Sequence, residues 1–154
     1  MHNFTLSFLL LCLTLLAGVT GTAQAEAFEE GKDYFALSSP IPVRDKSKVE
    51  VVEKFWYGCP HCNSFDPYIQ AWRTKQPDYV DFWHSPAVFS KTWKTHAQAY
   101  YTAEVLGVGE ELHQPLFDAL ARDKKPLNNE SALAKFFSDF GVPEDKFKKA
   151  YNSF

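Results

Sequence analysis

The 154-residue chain is poor in cysteine, and the three it has are unevenly placed. Cys12 lies in an apolar N-terminal run, so only Cys59 and Cys62 belong to the remainder. A pair three residues apart closes too small a loop to restrain an unfolded chain, which excludes a disulfide-stapled scaffold. Basic clusters are also missing. The 16 Lys and Arg stand against 19 Asp and Glu, a net charge of −3, and no cationic block marks a nucleic-acid partner. There is no internal repeat or low-complexity tract. Aromatics, by contrast, make up 16% of the chain, enough for a core and against pervasive disorder.

The N-terminus reads as a targeting segment. Phe4 to Val19 is almost wholly apolar, and Ala23-Gln24-Ala25 supplies a small-x-small cleavage pattern. A leader over residues 1–25 is expected, with the mature chain starting at Glu26. Met1-His2-Asn3 lacks the usual Lys or Arg, so a retained anchor competes, but the run is short for a span of roughly 20 residues. Export would deliver Cys59 and Cys62 to an oxidising compartment.

Tyr34–Leu37 reads as a short first strand, ended by Ser38-Ser39-Pro40 and Pro42. Val49–Tyr57 is the strongest strand candidate, with apolar residues on both faces as a covered central strand requires. Gly58 breaks it, and Pro60 suits the first turn of a helix. That helix should bury Phe65, Tyr68, Ile69 and Trp72 and kink at Pro67. Tyr79–Trp83 is a third strand, closing near Pro86. From Lys91 the pattern is helical. Four stripes follow: Ala97, Tyr100, Tyr101 and Val105; Leu112, Leu116, Phe117 and Leu120; Leu133, Phe136, Phe137 and Phe140; Phe147, Ala150 and Tyr151. Gly107 and Gly141 are stops, Asn128, Asn129 or Ser131 a cap, and Pro143 an opener.

A strand, a tight turn and then Cys59 at a helix start is a chemically meaningful order. The free N–H groups and dipole of the first turn favour a thiolate at Cys59. His61 can add positive charge or a hydrogen bond, and Cys62, one turn further on, should be the more buried, resolving thiol. A stabilised thiolate stabilises the reduced form, so the disulfide becomes more oxidising. A purely structural Cys59–Cys62 disulfide is the plainer alternative. Zinc needs four ligands, which Cys59, His61 and Cys62 do not easily begin to supply, while His84, His96 and His113 show no ligand spacing and read as surface or core histidines.

Glu53-Lys54-Phe55-Trp56-Tyr57-Gly58-Cys59-Pro60-His61-Cys62 resembles the active-site segment of DsbA proteins, periplasmic disulfide-forming enzymes. Pro67, Ser85-Pro86-Ala87-Val88-Phe89 and Ala150-Tyr151-Asn152-Ser153-Phe154 extend the resemblance. It implies an α/β thioredoxin-like fold with an inserted all-helical domain: residues 26–90 as the N-terminal part of the first, 91–154 as the insert. It implies Cys59 as nucleophile, Cys62 as resolving cysteine, and Pro60, His61 and the buried acid Glu53 as redox-tuning groups, with Lys75 the nearest candidate for a basic partner of Glu53. No bound cofactor or metal is implied. The implied partners are exported proteins with free thiols and a DsbB-like quinone-linked inner-membrane protein that restores the disulfide. A thioredoxin-like reductase or isomerase is the second reading, an inactive remnant the third. Gly141-Val142-Pro143 is followed by helical rather than strand character, so it is not the family's client-binding proline loop. That loop, two further strands and a last helix would follow Phe154. The chain is therefore expected to be incomplete, with an apolar strand edge exposed and poor stability alone.

Overall fold

The computed structural model describes residues 28–154. The expected leader and its cleavage pattern lie outside them. Residues 28–41 contain a turn in which the Gly31 N–H donates to the Tyr34 carbonyl at 2.7 Å. The strand expected at Tyr34–Leu37 does not form: Tyr34 makes only an isolated bridge to Glu30, and Phe35 and Leu37 are exposed. A strand needs a neighbour for its ladder hydrogen bonds, and none pairs with this segment among the described residues.

Residues 42–154 run β1 (Val49–Phe55), α1 (Pro60–Arg73), β2 (Val80–Pro86), α2 (Lys91–Val105) and α3 (Gly109–Phe117). A π-helical turn over Asp118–Arg122 follows, then α4 (Glu130–Ser138) and α5 (Glu144–Tyr151). β1 and β2 pair in parallel, in register from Val49 with Val80 to Phe55 with Pro86, so α1 is the crossover of a β-α-β unit. β1 ends at Phe55 because Trp56 and Tyr57 enter a turn closed by the Cys59 N–H on the Trp56 carbonyl, at 2.9 Å. β2 runs on past Trp83 to Pro86, and the Ala87 N–H still reaches the Phe55 carbonyl at 2.8 Å.

The buried end of β1 anchors the core. Phe55 packs edge-on against Tyr57 and Tyr100, with ring centroids 4.9 and 5.6 Å away, and Phe117 lies 5.5 Å from Phe55 and 5.0 Å from Tyr57. α2 and α3 thereby hold the strand end. Leu112, Leu116, Leu133, Phe137 and Phe147 carry the same cluster through α3, α4 and α5, as their spacing requires.

Two stripes face partly otherwise than expected. In α2 Ala97 and Tyr100 are buried as expected, together with Thr95, His96, Ala99, Thr102 and Ala103, while Tyr101 and Val105 are 43% and 62% exposed. In α1 the outward residues are Phe65 and Tyr68, at 52% and 71%, and the buried residue is Asp66. Cys62 and Asp66, four apart, share the inward face, and Cys62 packs against the core. Apolar spacing identifies a stripe, but polar partners decide which face of α1 is covered.

The helix ends follow capping rules. Ser90 and Asn129 accept from the backbone N–H groups of Trp93 and Ala132, at 3.3 and 2.9 Å. α2 and α4 both close over a left-handed glycine: Gly107 (φ 73°) precedes a Val108 N–H bond to the Ala103 carbonyl, and Gly141 (φ 82°) precedes a Val142 N–H bond to that of Phe137. The π-helical turn ends the same way, with the Lys125 N–H on the Ala119 carbonyl at 2.8 Å, but its left-handed residue is Lys124 (φ 54°). A side chain there costs about 1 kcal/mol relative to glycine.

Truncating Phe117 to Ala should destabilise the protein by about 3–5 kcal/mol, read by chemical denaturation. A cost below about 1 kcal/mol would show that the aromatic cluster does not hold β1 to the helices.

Candidate active site

Cys59 is the N-cap of α1. Its backbone is extended (φ −88°, ψ 115°), and Pro60 follows in the first helical turn, where its missing N–H has no partner to lose. The Cys62 N–H donates to Cys59 Sγ at 3.4 Å, and the first turn carries no acidic side chain to compete for the helix end. Both cysteines are free thiols and half-buried.

The two thiols are driven in opposite directions. Burial pushes the Cys59 pKa up. The thiol and N–H of Cys62, the N–H of His61 and the charge of Lys124 outweigh this, so the pKa is lowered overall. Burial raises that of Cys62; a backbone contact from Trp56 offsets part of the rise, and the neighbouring Cys59 and Glu53 reinforce it. His61 itself is exposed. What reaches the thiol is its backbone N–H rather than its ring.

Trp56 covers the turn. Its indole stacks on Trp93, 4.4 Å apart and 9° from parallel, and its Nε1–H donates to His96 Nδ1 at 2.9 Å. An indole only donates, so His96 Nδ1 is the acceptor and the ring proton is on Nε2, which donates to the Leu127 carbonyl at 3.1 Å. Burial lowers the His96 pKa against that bond, so the ring is neutral. A Cβ at Gly58 would collide with the Trp56 indole, which restricts this position to glycine. Beside the cysteines opens an apolar groove of about 580 Å³, walled by Phe55, Trp56, Pro86, Val88, Phe89 and Trp93.

Beneath them lies a polar cluster. Glu53 Oε2 and His84 Nε2 are 3.2 Å apart, almost fully buried, yet not aligned for a hydrogen bond, and neither finds another partner among the described residues. Next to them Tyr57, His113 and Asp66 form a chain. Burial holds Tyr57 as a neutral phenol, which donates to His113 Nδ1 at 3.0 Å. His113 Nε2–H donates to Asp66 Oδ1 at 3.1 Å, and Gln70 donates to the same oxygen at 3.1 Å. Burial would raise the Asp66 pKa, but these donors hold it below the ordinary value of 3.8. The His84 and His113 rings are 4.6 Å apart.

Cys59 and Cys62 meet at the first turn of α1, and Glu53 is near enough for its charge to act on Cys62. Lys75 is exposed, past the end of α1, so it is not the partner of Glu53; His84 stands there instead. Asp66 and His113 had no signal beyond the four-residue offset of Asp66 from Cys62. Asp66, His84 and His113 hold ligand atoms within 4.8 Å of one another, but Asp66 Oδ1 and His113 Nε2 are bonded to each other. Asp66 and His113 are therefore engaged with each other, and the His84 ring stands beside them without a hydrogen bond.

No family model matches the chain. The thiol:disulfide interchange protein DsbA of Pseudomonas aeruginosa is 41% identical over 149 residues, which cover 96% of this chain and 71% of that protein. The protein of the same name from Burkholderia cepacia is 42% identical over 150 residues, covering 97% and 70%. Among solved structures, a glutamate-to-isoleucine variant of P. aeruginosa DsbA matches with a TM-score of 0.76 and 42% identity, over 83% of this chain and 69% of that one. An oxidoreductase of Neisseria meningitidis matches at 0.67 and 28%, over 81% and 66%.

The depressed pKa of Asp66 sets the sign of a pH effect. Its ionised form stabilises the fold above its ordinary pKa, and this contribution is lost as pH falls through the lower folded value. Asp66→Asn should cost about 1–3 kcal/mol at neutral pH. Denaturation curves should show that gap closing below about pH 4. A gap independent of pH would mean that Asp66 does not act through its charge.

Proposed function

The chain belongs to the DsbA family of thiol:disulfide interchange proteins, and on that footing we propose that it oxidises the thiols of exported proteins through Cys59 and Cys62. In the oxidised form these two are joined. A client thiolate attacks Cys59 Sγ; the client–Cys59 bond forms, the Cys59–Cys62 bond breaks, and the electron pair leaves on Cys62, whose raised pKa makes it take up a proton. A second client thiolate then attacks the client sulfur of the mixed disulfide and expels Cys59 as a thiolate. The client loses two electrons as its disulfide forms, and the protein becomes a dithiol.

The single observation that carries this reading is the opposite displacement of the two thiols at the N-terminus of α1. A stabilised Cys59 thiolate is a good leaving group in the second step and favours the reduced protein. Each tenfold stabilisation makes the couple about 30 mV more oxidising. Pro60 and His61 tune the thiol through the shape and N–H groups of the first turn, and the charge of Glu53, beside His84, acts on Cys62. The apolar groove receives the client segment. Residues 1–25 direct the chain to the periplasm; residues 26–90 supply the thioredoxin-like part and 91–154 the helical insert. A DsbB-like quinone-linked membrane protein restores the disulfide, and the protein itself carries no cofactor.

The test mixes the oxidised protein with a reduced two-cysteine peptide. Stoichiometric peptide oxidation is expected, abolished by Cys59→Ser, whereas Cys62→Ser should trap a mixed disulfide on Cys59. The redox potential should be more oxidising than about −200 mV; a value near −270 mV would make the protein a reductase, and no exchange at all would make it an inactive relative.

A further inference from the structure

We propose that Lys124 is a positioning residue for the thiol chemistry: held on a helix terminus suited to glycine, its ammonium supports the Cys59 thiolate from across the active-site turn. The inference rests on the reading of Cys59 as the nucleophile.

Among the described residues, three helix ends close over a left-handed residue. Two of them use glycine, Gly107 and Gly141, and the third uses Lys124. Nothing in the closure itself calls for a side chain, since the bond made by the Lys125 N–H on the Ala119 carbonyl is a backbone bond. A strained position that retains a long cationic side chain points to a use for that side chain.

The surrounding bonds hold the backbone that carries the exposed Lys124. The Asp123 N–H bonds the Asp118 carbonyl at 2.8 Å, and the Leu127 N–H bonds that of Lys125 at 2.9 Å. Leu127 is buried, and its own carbonyl accepts from His96, which is bonded in turn to Trp56. The Lys124 loop is thus tied through two hydrogen bonds to the residue that covers the active-site turn. Trp56, Gly58, His96, Leu120, Lys124 and Leu127 border one cavity of about 270 Å³, and Gly58 directly precedes Cys59.

The neighbouring charges are committed elsewhere. Arg122 pairs with Asp118 and Asp123, each at 2.9 Å, and the Lys125 ammonium lies over the Phe136 ring at 6.0 Å. Lys124 makes no ion pair among the described residues. Burial opposes the Cys59 thiolate, the Cys62 thiol and the N–H groups of Cys62 and His61 favour it, and the Lys124 charge adds to them.

The experiment titrates Cys59 in the purified protein by its ultraviolet thiolate absorbance and measures the redox potential. Lys124→Asn and Lys124→Gly both suit the left-handed backbone, so neither should impair folding; thermal melting checks this. Both should raise the Cys59 pKa by roughly half a unit, about threefold in proton affinity. The couple should become less oxidising by about 15 mV, and both differences should collapse in about 1 M salt. Lys124→Arg should retain the original values, as should Lys125→Gln. An unchanged Cys59 pKa in the Asn and Gly variants overturns the proposal while leaving the nucleophile reading intact. An ordinary thiol pKa at Cys59 in the unaltered protein overturns both.

Discussion

The structure depends on the burial of two aromatic rings at the end of one strand. Phe55 and Tyr57 are two residues apart, so both enter the core formed with Tyr100 and Phe117, and Trp56 between them must leave on the opposite side. There it stacks on Trp93, and its indole occupies the space that a side chain at Gly58 would need. The backbone then turns once and delivers Cys59 to the start of α1. The reactive thiol is placed by hydrophobic packing in which Cys59 itself takes no part.

The chemistry grows from an asymmetry that this placement creates. Cys59 stands where a helix offers unpaired N–H groups, while Cys62, one turn along, faces inward toward Glu53 and the aromatic core. The same helix face carries Asp66 into contact with His113 and, through it, with Tyr57. The strand end, α1 and α3 are therefore joined by polar bonds directly beneath the redox pair, in the low-dielectric setting where such bonds are strongest.

Much of this was legible in the sequence. The strand ending in the Cys59 turn, the helix opening at Pro60 and the glycine stops at 107 and 141 all follow from local rules, and the structure keeps them. The stripes of α3, α4 and α5 also hold, because each has one apolar face and one neighbour to cover it. α1 could not be read in this way. Of the apolar stripe Phe65, Tyr68, Ile69 and Trp72, only Ile69 and Trp72 are half-buried, and the most buried residue is Asp66, whose partner His113 lies on a distant segment. His84, His96 and His113 show no mutual spacing, because strand and helix register bring them to the site from separate elements. Tyr34–Leu37 has strand composition but no strand beside it among the described residues.

The π-helical turn has a further consequence for how this segment can vary. A five-residue backbone loop accommodates one residue more than an α-helical turn needs, so residues 118–122 hold a local surplus of chain. Losing one residue there would restore ordinary helical winding without shortening α3 or α4. Because the extra residue is taken up locally, the residues on either side would keep their helical register. A single deletion at this point would therefore leave the core cluster and the cysteines where they are, whereas the same deletion within α2 would turn every later residue of that helix by about 100°.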